Sequence, residues 1–343
     1  MEIFSCTPSQ LLILCYHTEQ KGLFIMIFIQ QAVCTVMTFF MMIFGTFAGT
    51  YRNDSTAAYK ENVNSVKAYS NTLETAVPQT DIYDMIKNHF TSPLAEGKTE
   101  KKLIVIGYDG CRADALSLMD TDGNGGISYL LSTGATAEIA YCGGVNYPAI
   151  NTQATSTAPG WCSILTGEWA DVHGITDNGI EKSNDHLTLL TTLVEDETVD
   201  SSAFYVSWNG HFNGEDTTYI REKNYVEEKN LDVDFVDADD DNGTVSNVVA
   251  DLGSADCSDF IFLTLEHTDH SGHDTGFSLS NPDYSKSFAD AEADGRRIID
   301  AVESRDTYET EDWLIIVTSD HGGFNTGHGS VTLQERMTFI IAR

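Results

Sequence analysis

The feature that most constrains the fold is a series of short, nearly uninterrupted apolar runs in the later two thirds of the chain. Runs of this length that are rich in Ile, Val, Leu, Phe and Tyr are typical of strands buried on both faces. Longer stretches of helical or loop character separate them, which predicts an α/β fold with a mostly parallel central sheet sandwiched by helices. The five runs predicted to be strands are Leu103–Tyr108, Ala203–Trp208, Phe260–Leu265, Trp313–Thr318 and Met337–Ala342.

The segments between these runs contain candidate helices. The clearest has apolar residues such as Ala291, Ile298 and Val302 at a spacing that places them on one helical face. The predicted helices are Ala113–Met119, Trp161–Thr166, Leu187–Glu195 and Ser287–Ser304, with a further one at Asp81–Phe90.

The N-terminal region carries no charged residue between Lys21 and Arg52. A transmembrane helix needs roughly 20 apolar residues, whereas the core of a signal peptide needs about 7–15. We therefore predict a signal peptide or membrane anchor in residues 1–50, a linker with a leading helix in 51–98, and a folded domain in 99–343. The domain is expected to be secreted or membrane-anchored, outside the cytoplasm, with membrane contact only through an uncleaved N-terminal segment.

The charge balance limits the possible partners. There are 52 acidic and 19 basic residues, which gives a net charge of −33. A surface this negative repels nucleic-acid backbones, so binding to a nucleic-acid duplex is not expected. It would also repel a phosphorylated substrate unless bound cations reversed the field locally.

Cysteine usage is compatible with export. Four of the seven cysteines lie beyond the N-terminal segment, namely Cys111, Cys142, Cys162 and Cys257. An even number in an exported domain permits one or two disulfides. There is no Cys-x-x-Cys pair, so a zinc site built on thiolates is not predicted.

Carboxylates follow three of the predicted strands. Asp109 comes directly after the first run, and Asp269 and Asp320 follow the third and fourth by a few residues. Ligands of parallel sheets gather beyond the carboxyl ends of the strands, so these side chains are expected to share one site.

Histidines accompany two of these carboxylates. His273 lies four positions after Asp269, one turn away if the segment is helical, and His321 directly follows Asp320. His328 is the next histidine downstream. Carboxylates and imidazoles in this combination are the ligands that two zinc-class ions need.

A hydroxyl-bearing segment completes the set. Thr157 precedes Ala158-Pro159, and a hydroxyl among such ligands predicts a metal-activated nucleophile. Thr155 and Ser156 are rival hydroxyls in the same segment.

These clusters together resemble the alkaline phosphatase superfamily, and specifically its type I phosphodiesterase/nucleotide pyrophosphatase family, over about residues 101–343. The motifs that carry the resemblance are Asp109-Gly110-x-Arg112-x-Asp114, Thr157-x-Pro159, Ser163-x-x-Thr166-Gly167, His173-Gly174-Ile175-x-x-Asn178, Asp269-x-x-Gly272-His273 and Ser319-Asp320-His321-Gly322.

The resemblance implies an alkaline phosphatase-like catalytic domain in residues 99–343, without the C-terminal segment usual in the family. It implies two divalent ions, zinc by preference, and a small phosphorylated substrate of nucleotide type whose phosphodiester or pyrophosphate bond is hydrolysed. Thr157 would be the nucleophile, and Asn178 would hydrogen-bond a phosphoryl oxygen. The implied ligands are Asp109, Asp320 and His321 for the ion that activates Thr157, and Asp269, His273 and His328 for the second ion.

Several alternatives stay open from the sequence. A phosphomonoesterase, phosphonate hydrolase or phospho-head-group transferase of the same superfamily would use similar residues. A sulfatase is disfavoured because no arginine follows Pro159 by two positions. A noncatalytic calcium-binding surface protein is suggested by the EF-hand-like stretch Asp120–Ser128, whereas the acidic stretch Asp232–Asn242 is expected to be a solvated loop.

Overall fold

The computed structural model describes residues 76–143, 153–179, 184, 186–212 and 217–343. The signal peptide or anchor predicted in residues 1–50, and the linker up to residue 75, lie outside the described residues. Within the described ranges, no helix combines the length and the apolar character needed to cross a membrane.

One central sheet organises the described part of the chain. Its strands are β1 (Val77–Pro78), β2 (Glu100–Tyr108), β3 (Thr136–Tyr141), β4 (Ser202–Val206), β5 (Val233–Asp237), β6 (Phe260–Leu265), β7 (Glu311–Thr318) and β8 (Met337–Ala342). They are arranged in the order β1-β3-β8-β7-β2-β6-β4-β5. Only β8 pairs antiparallel with its two neighbours, and the other described pairs are parallel. The prediction of a mostly parallel sheet is confirmed.

Burial on both faces of the sheet explains the nearly continuous apolar sequence of its central strands. Along β2, Ile104 and Ile106 pack into one hydrophobic cluster, while Leu103 and Val105 pack into another on the opposite face. Neither face of this strand meets water, so the sequence has no polar alternation there. All five predicted strands are present, and two of them have the predicted bounds.

Helices cover both faces of the sheet. They are α1 (Asp81–Thr91), α2 (Gly126–Ser132), α3 (Thr157–Thr166), α4 (Ala170–His173), α5 (Leu189–Glu195), α6 (Ile220–Lys229), α7 (Asp241–Leu252), α8 (His267–Thr275), α9 (Pro282–Glu303) and α10 (Leu333–Arg336). Three 3-10 turns lie at Ala113–Leu118, Asn209–His211 and Tyr308–Thr310. The helices predicted from the sequence are present, although the first is a 3-10 helix and α3 begins four residues earlier than expected.

The acidic stretch Asp232–Asn242 is not a loop throughout, which corrects the sequence-based expectation. Its first part is the edge strand β5, and its last part begins α7. Asp240 caps α7 by accepting a hydrogen bond from the Gly243 amide, and Asp241 accepts one from the Glu266 amide. The acidic residues of this stretch thus lie in an edge strand, where charged side chains are tolerated, and at the start of a helix, where they are favoured.

Two other sequence features have structural outcomes. The Asp120 carboxylate accepts hydrogen bonds from the amides of Asp122 and Asn124, so the EF-hand-like stretch Asp120–Ser128 begins with a turn that leads into α2.

The four cysteines of the described ranges are buried free thiols, so none of the disulfides that their number permitted is formed among them.

Glu311 anchors the start of β7. Its side chain is fully buried, and Arg305 donates to both carboxylate oxygens, with the closest approach of 2.7 Å from Nη2 to Oε1. Thr307 and Trp313 donate further hydrogen bonds at 2.6 and 2.7 Å. Burial alone would raise the pKa of Glu311, but these donors outweigh it and lower the pKa to about 2. The ionised carboxylate is thus strongly favoured in the folded state.

We expect Glu311→Gln to lower the free energy of unfolding by about 2 kcal/mol at neutral pH, because charge-assisted hydrogen bonds are lost. The folded-state pKa lies below the value of about 4.3 for an unfolded glutamate, so this contribution is complete above that pH. The difference between wild type and variant should shrink as the pH falls from about 4 to 2. Urea unfolding across this range measures it, with the exposed Glu309→Gln as the matched control.

Candidate metal centre

The predicted carboxylates lie beyond the carboxyl ends of the three adjacent central strands β7, β2 and β6. Asp109 directly follows β2, Asp320 follows β7 by two residues, and Asp269 lies in the first turn of α8 after β6. All three side chains are buried. The structure therefore brings together residues that are far apart in the sequence.

Asp109, Asp320 and His321 form the deeper cluster, and each of these side chains is fully buried. His321 Nε2 lies 3.5 Å from Asp109 Oδ1 and 3.3 Å from Asp320 Oδ2. The Thr157 hydroxyl is 3.4 Å from Asp109 Oδ1 and 3.3 Å from His321 Nε2. This hydroxyl thus touches two of the three predicted ligands of the first ion.

Asp269, His273 and His328 form the second cluster. The helix α8 places Asp269 and His273 one turn apart, with 3.4 Å between Asp269 Oδ2 and His273 Nε2. His328 Nε2 lies 3.6 Å from Asp269 Oδ1, and the rings of the two histidines are 4.9 Å apart. This cluster faces solvent more than the first, since the His273 side chain is 44% exposed.

The three histidines share one hydrogen-bonding arrangement. In each ring Nδ1 lies close to a backbone carbonyl, that of Gly322 at 2.7 Å for His321, of Thr326 at 3.0 Å for His273, and of Thr155 at 3.0 Å for His328. A carbonyl only accepts, so Nδ1 carries a proton in each ring, and in the neutral form of the imidazole the lone pair is then on Nε2. Each Nε2 faces a carboxylate oxygen, and a cation between the two would satisfy both.

The pKa values of the clustered side chains also fit a cation site. Burial, followed by the neighbouring carboxylates, raises the pKa of Asp109 and of Asp320 well above the usual range. Burial raises the pKa of Asp269 to about 7 and lowers that of His328 to about 4. Asp269 Oδ1 and Asp320 Oδ2 are buried and accept no hydrogen bond from a described residue. Such crowded carboxylates beside neutral imidazoles fit the donor set of zinc-class ions.

The groupings of ligand atoms differ in part from the predicted sets. Asp109, Asp320 and His321 converge within 4.8 Å. Asp269 and His328 converge with His321, and His273 stands outside this group although its Nε2 lies 3.4 Å from Asp269 Oδ2. A third group joins Asp109 and Asp269 to Glu266, which sequence reasoning missed. Glu266 is the first residue after β6, so its strand-end position was the signal that could have identified it.

The rival hydroxyls of Thr155 and Ser156 have hydrogen-bond partners outside the deeper cluster. Thr155 Oγ1 donates to the carbonyl of Ser330 at 3.0 Å, and Ser156 Oγ lies 3.3 Å from His328 Nδ1. Both therefore hold the loop that carries His328. Thr157, at the start of α3, is the hydroxyl of this segment that reaches Asp109 and His321.

Asn178 lies beside the start of α3. Its side-chain Oδ1 accepts a hydrogen bond of 2.8 Å from the Ala158 amide, which fixes the orientation of the side-chain amide. With Oδ1 so engaged, Nδ2 is the donor that Asn178 can offer to a bound molecule near Thr157.

Close backbone packing fixes the deeper cluster. Trp161 Nε1 donates to Asp109 Oδ2 at 2.9 Å, and the Gly110 amide donates to Asp320 Oδ1 at 3.2 Å. Gly160 of α3 packs directly against Asp320, where an added Cβ would lie 2.8 Å from the aspartate Cβ. The helix that carries Thr157 can approach the β7 end this closely because residue 160 has no side chain.

We expect Gly160→Ala to destabilise the protein by about 1–3 kcal/mol through overpacking. In an unobstructed helix the same change would stabilise by about 1 kcal/mol, so the sign of the effect tests the contact. The midpoint temperature of thermal unfolding should therefore fall in Gly160→Ala. Gly253→Ala is the control, because its added Cβ would meet atoms no closer than 3.4 Å. Equal behaviour of the two variants would contradict the packing described here.

Comparison with known proteins gives a family match. The family model described as type I phosphodiesterase/nucleotide pyrophosphatase matches residues 103–335, a range that includes every predicted site residue. No curated protein matches the chain.

Several solved structures are similar to the chain at low identity. Murine ectonucleotide pyrophosphatase/phosphodiesterase 5, in an inactive form in complex with AMP, is 19% identical with a TM-score of 0.43, and the match covers 65% of this chain and 57% of that one. The C-terminal periplasmic domain of phosphoethanolamine transferase EptC from Campylobacter jejuni is 13% identical (TM-score 0.45), with 72% and 80% covered. Alkaline phosphatase from the Antarctic bacterium TAB5 is 13% identical (TM-score 0.44), with 72% and 91% covered. The chain thus spans little more than half of the murine protein.

Proposed function

Since this chain belongs to the type I phosphodiesterase/nucleotide pyrophosphatase family, we propose that it hydrolyses phosphodiester or pyrophosphate bonds in small nucleotide-type substrates. The observation that carries the proposal is the position of the Thr157 hydroxyl, within 3.4 Å of both Asp109 and His321. A hydroxyl held against metal-type ligands is suited to act as a nucleophile.

The proposed cofactor is a pair of divalent ions, zinc by preference. Asp109, Asp320 and His321 would hold one ion, and Asp269, His273 and His328 would hold the other. When bound, the ions lower the pKa of the nucleophilic hydroxyl and offset the charge of the phosphoryl oxygens. The unpartnered oxygens of Asp269 and Asp320 support this assignment.

Thr157 performs the covalent step in this mechanism. Its Oγ1 forms a bond to phosphorus while the bond to the leaving oxygen breaks on the opposite side. The hydroxyl proton has Asp109 Oδ1 within reach, at 3.4 Å from Thr157 Oγ1. Water then cleaves the phospho-threonine, which releases the phosphorylated product and restores the hydroxyl.

Two groups of the chain orient the phosphoryl group. Asn178 Nδ2 donates to a phosphoryl oxygen, and its partner oxygen is held by the Ala158 amide at 2.8 Å. Thr157 is also the first residue of α3, and a helix N-terminus favours a negatively charged group. Together these groups act where charge accumulates in the transition state.

The exported location is also part of the proposal. Residues 1–50 would direct residues 99–343 out of the cytoplasm as a secreted or membrane-anchored catalytic domain, with residues 51–98 as the linker. The absence of charge between Lys21 and Arg52 supports it. The molecule would meet its substrate there, and the membrane only through that segment.

We expect Thr157→Ala to lower turnover at least a thousandfold while both ions remain bound, because the nucleophile is lost and the ligands stay. Thr157→Ser should retain part of the activity, since it keeps a hydroxyl. Steady-state hydrolysis combined with metal analysis of the purified variants measures both effects. Ser156→Ala tests the rival hydroxyl, and loss of turnover in that variant with normal turnover in Thr157→Ala would refute the assignment.

We expect Asp320→Asn to lower both metal occupancy and turnover by at least tenfold, because a neutral amide replaces a charged ligand. Metal content after dialysis and hydrolysis rates measure the effect. Asp312→Asn is the matched control, since Asp312 lies near the start of β7, at the opposite end of that strand from Asp320. Two tightly held ions in the Asp320 variant would show that the ligand assignment is wrong.

The decisive test of the reaction class compares a diester and a monoester of p-nitrophenyl phosphate with zinc-loaded protein, with and without a chelator. Faster cleavage of the diester that the chelator abolishes supports the proposal. Preference for the monoester would instead assign the chain to the phosphomonoesterase reaction. Metal-bound protein that cleaves neither ester would contradict both.

A further inference from the structure

The two clusters of the candidate metal centre differ in their access to solvent. The side chains of Asp109, Asp320 and His321 are all fully buried. In the second cluster the Asp269 side chain is 8% exposed, that of His328 9%, and that of His273 44%. Water and small chelators can therefore reach the second cluster while the first is covered by protein.

Phe277 lies beneath the two histidines of the second cluster. Its ring is 1% exposed and meets the His273 ring edge to face, with centroids 5.5 Å apart and planes at 80°. It meets the His328 ring in the same way at 6.3 Å and 88°. One buried ring thus supports both imidazoles, which come from different elements of the fold.

Two glycines leave the space that this ring fills. A Cβ at Gly272 of α8 would fall 2.3 Å from the Phe277 ring, and one at Gly323 would fall 2.2 Å from it. Gly272 directly precedes His273, and Gly323 lies in the segment between His321 and His328. The ring therefore fits tightly between the two backbone segments that carry the histidines.

The backbone of Phe277 is held on both sides. Its amide donates to the Asn325 carbonyl at 2.7 Å, and its carbonyl accepts from Arg112 Nη1 at 2.7 Å. Behind the ring, Tyr284 packs at 5.8 Å and donates its hydroxyl to the Gly110 carbonyl at 3.1 Å. The position of Phe277 is thus tied to the loop that follows Asp109.

We propose that Phe277 is a positioning residue that sets the affinity and the exchange rate of the ion held by Asp269, His273 and His328, and that this ion is the exchangeable one of the pair. The inference rests on the proposed two-ion function. A flat ring against both imidazoles restricts their rotation, so less ordering is needed when the ion binds. Loss of an outer-shell hydrogen-bonding partner of a metal ligand typically costs about 10–100-fold in metal affinity, and we expect loss of this apolar ring to fall at the lower end.

The test follows zinc release from the zinc-loaded protein into excess of a chromogenic chelator. The wild type should release one equivalent rapidly, from the solvent-facing cluster, and a second slowly. Phe277→Leu should accelerate the rapid phase and weaken that site about tenfold, while the slow phase stays as in the wild type. Phe277→Met serves as a second variant, because its flexible side chain can fill the space without a flat face.

Phe288→Leu is the matched control. Phe288 is also 1% exposed and belongs to the same hydrophobic cluster, and it makes no ring contact with a histidine of the described ranges. Thermal unfolding shows whether the variants lose similar stability. Equal acceleration of both phases, or the same acceleration in Phe288→Leu, would overturn the inference, as would unaltered release from both Phe277 variants. A wild type that takes up no second ion would overturn the proposed function itself.

Discussion

Mutual repulsion among buried carboxylates is the constraint around which this molecule is built. Asp109, Asp269 and Asp320 lie at neighbouring strand ends, and burial together with like charge makes it costly to ionise them side by side. Local contacts hold these side chains in place despite this cost. Gly160 packs against Asp320, and Trp161 donates a hydrogen bond to Asp109. Bound cations, as proposed above, would offset this repulsion, because they place positive charge between the carboxylates.

Much of the architecture could be predicted from the sequence because strands buried on both faces are nearly continuous apolar runs. Strands such as β2 and β6 contain no polar alternation, and the residues that follow them had to meet at one edge. The same reasoning placed Asp109, Asp269 and Asp320 together. The hydroxyl of Thr157 could be chosen over its neighbours only by motif, whereas the structure separates the three by what each one touches.

Other features have no sequence pattern from which they could be predicted. The edge strand β5 contains two aspartates among five residues, so its composition indicated a solvated loop, and its pairing with β4 is a tertiary effect. Glu266 belongs to no motif, and its position after β6 did not by itself indicate that it would converge with Asp109 and Asp269. Phe277 is similarly invisible in the sequence, because a single apolar residue after a helix does not reveal which rings it will meet.

The reversed direction of β8 has a consequence for how the molecule can diversify. Because β7 and β8 are antiparallel neighbours, the connection between them leaves and re-enters the sheet at the same end of the strands and does not cross a face of the sheet. It carries Asp320, His321 and His328, and between the two strands it is also held by hydrogen bonds from the Phe277 amide to the Asn325 carbonyl and from the Gly329 amide to Thr155. The residues between these held points can therefore change in length or composition without moving the sheet. Variation beside the candidate site does not require a change in the frame that positions its ligands.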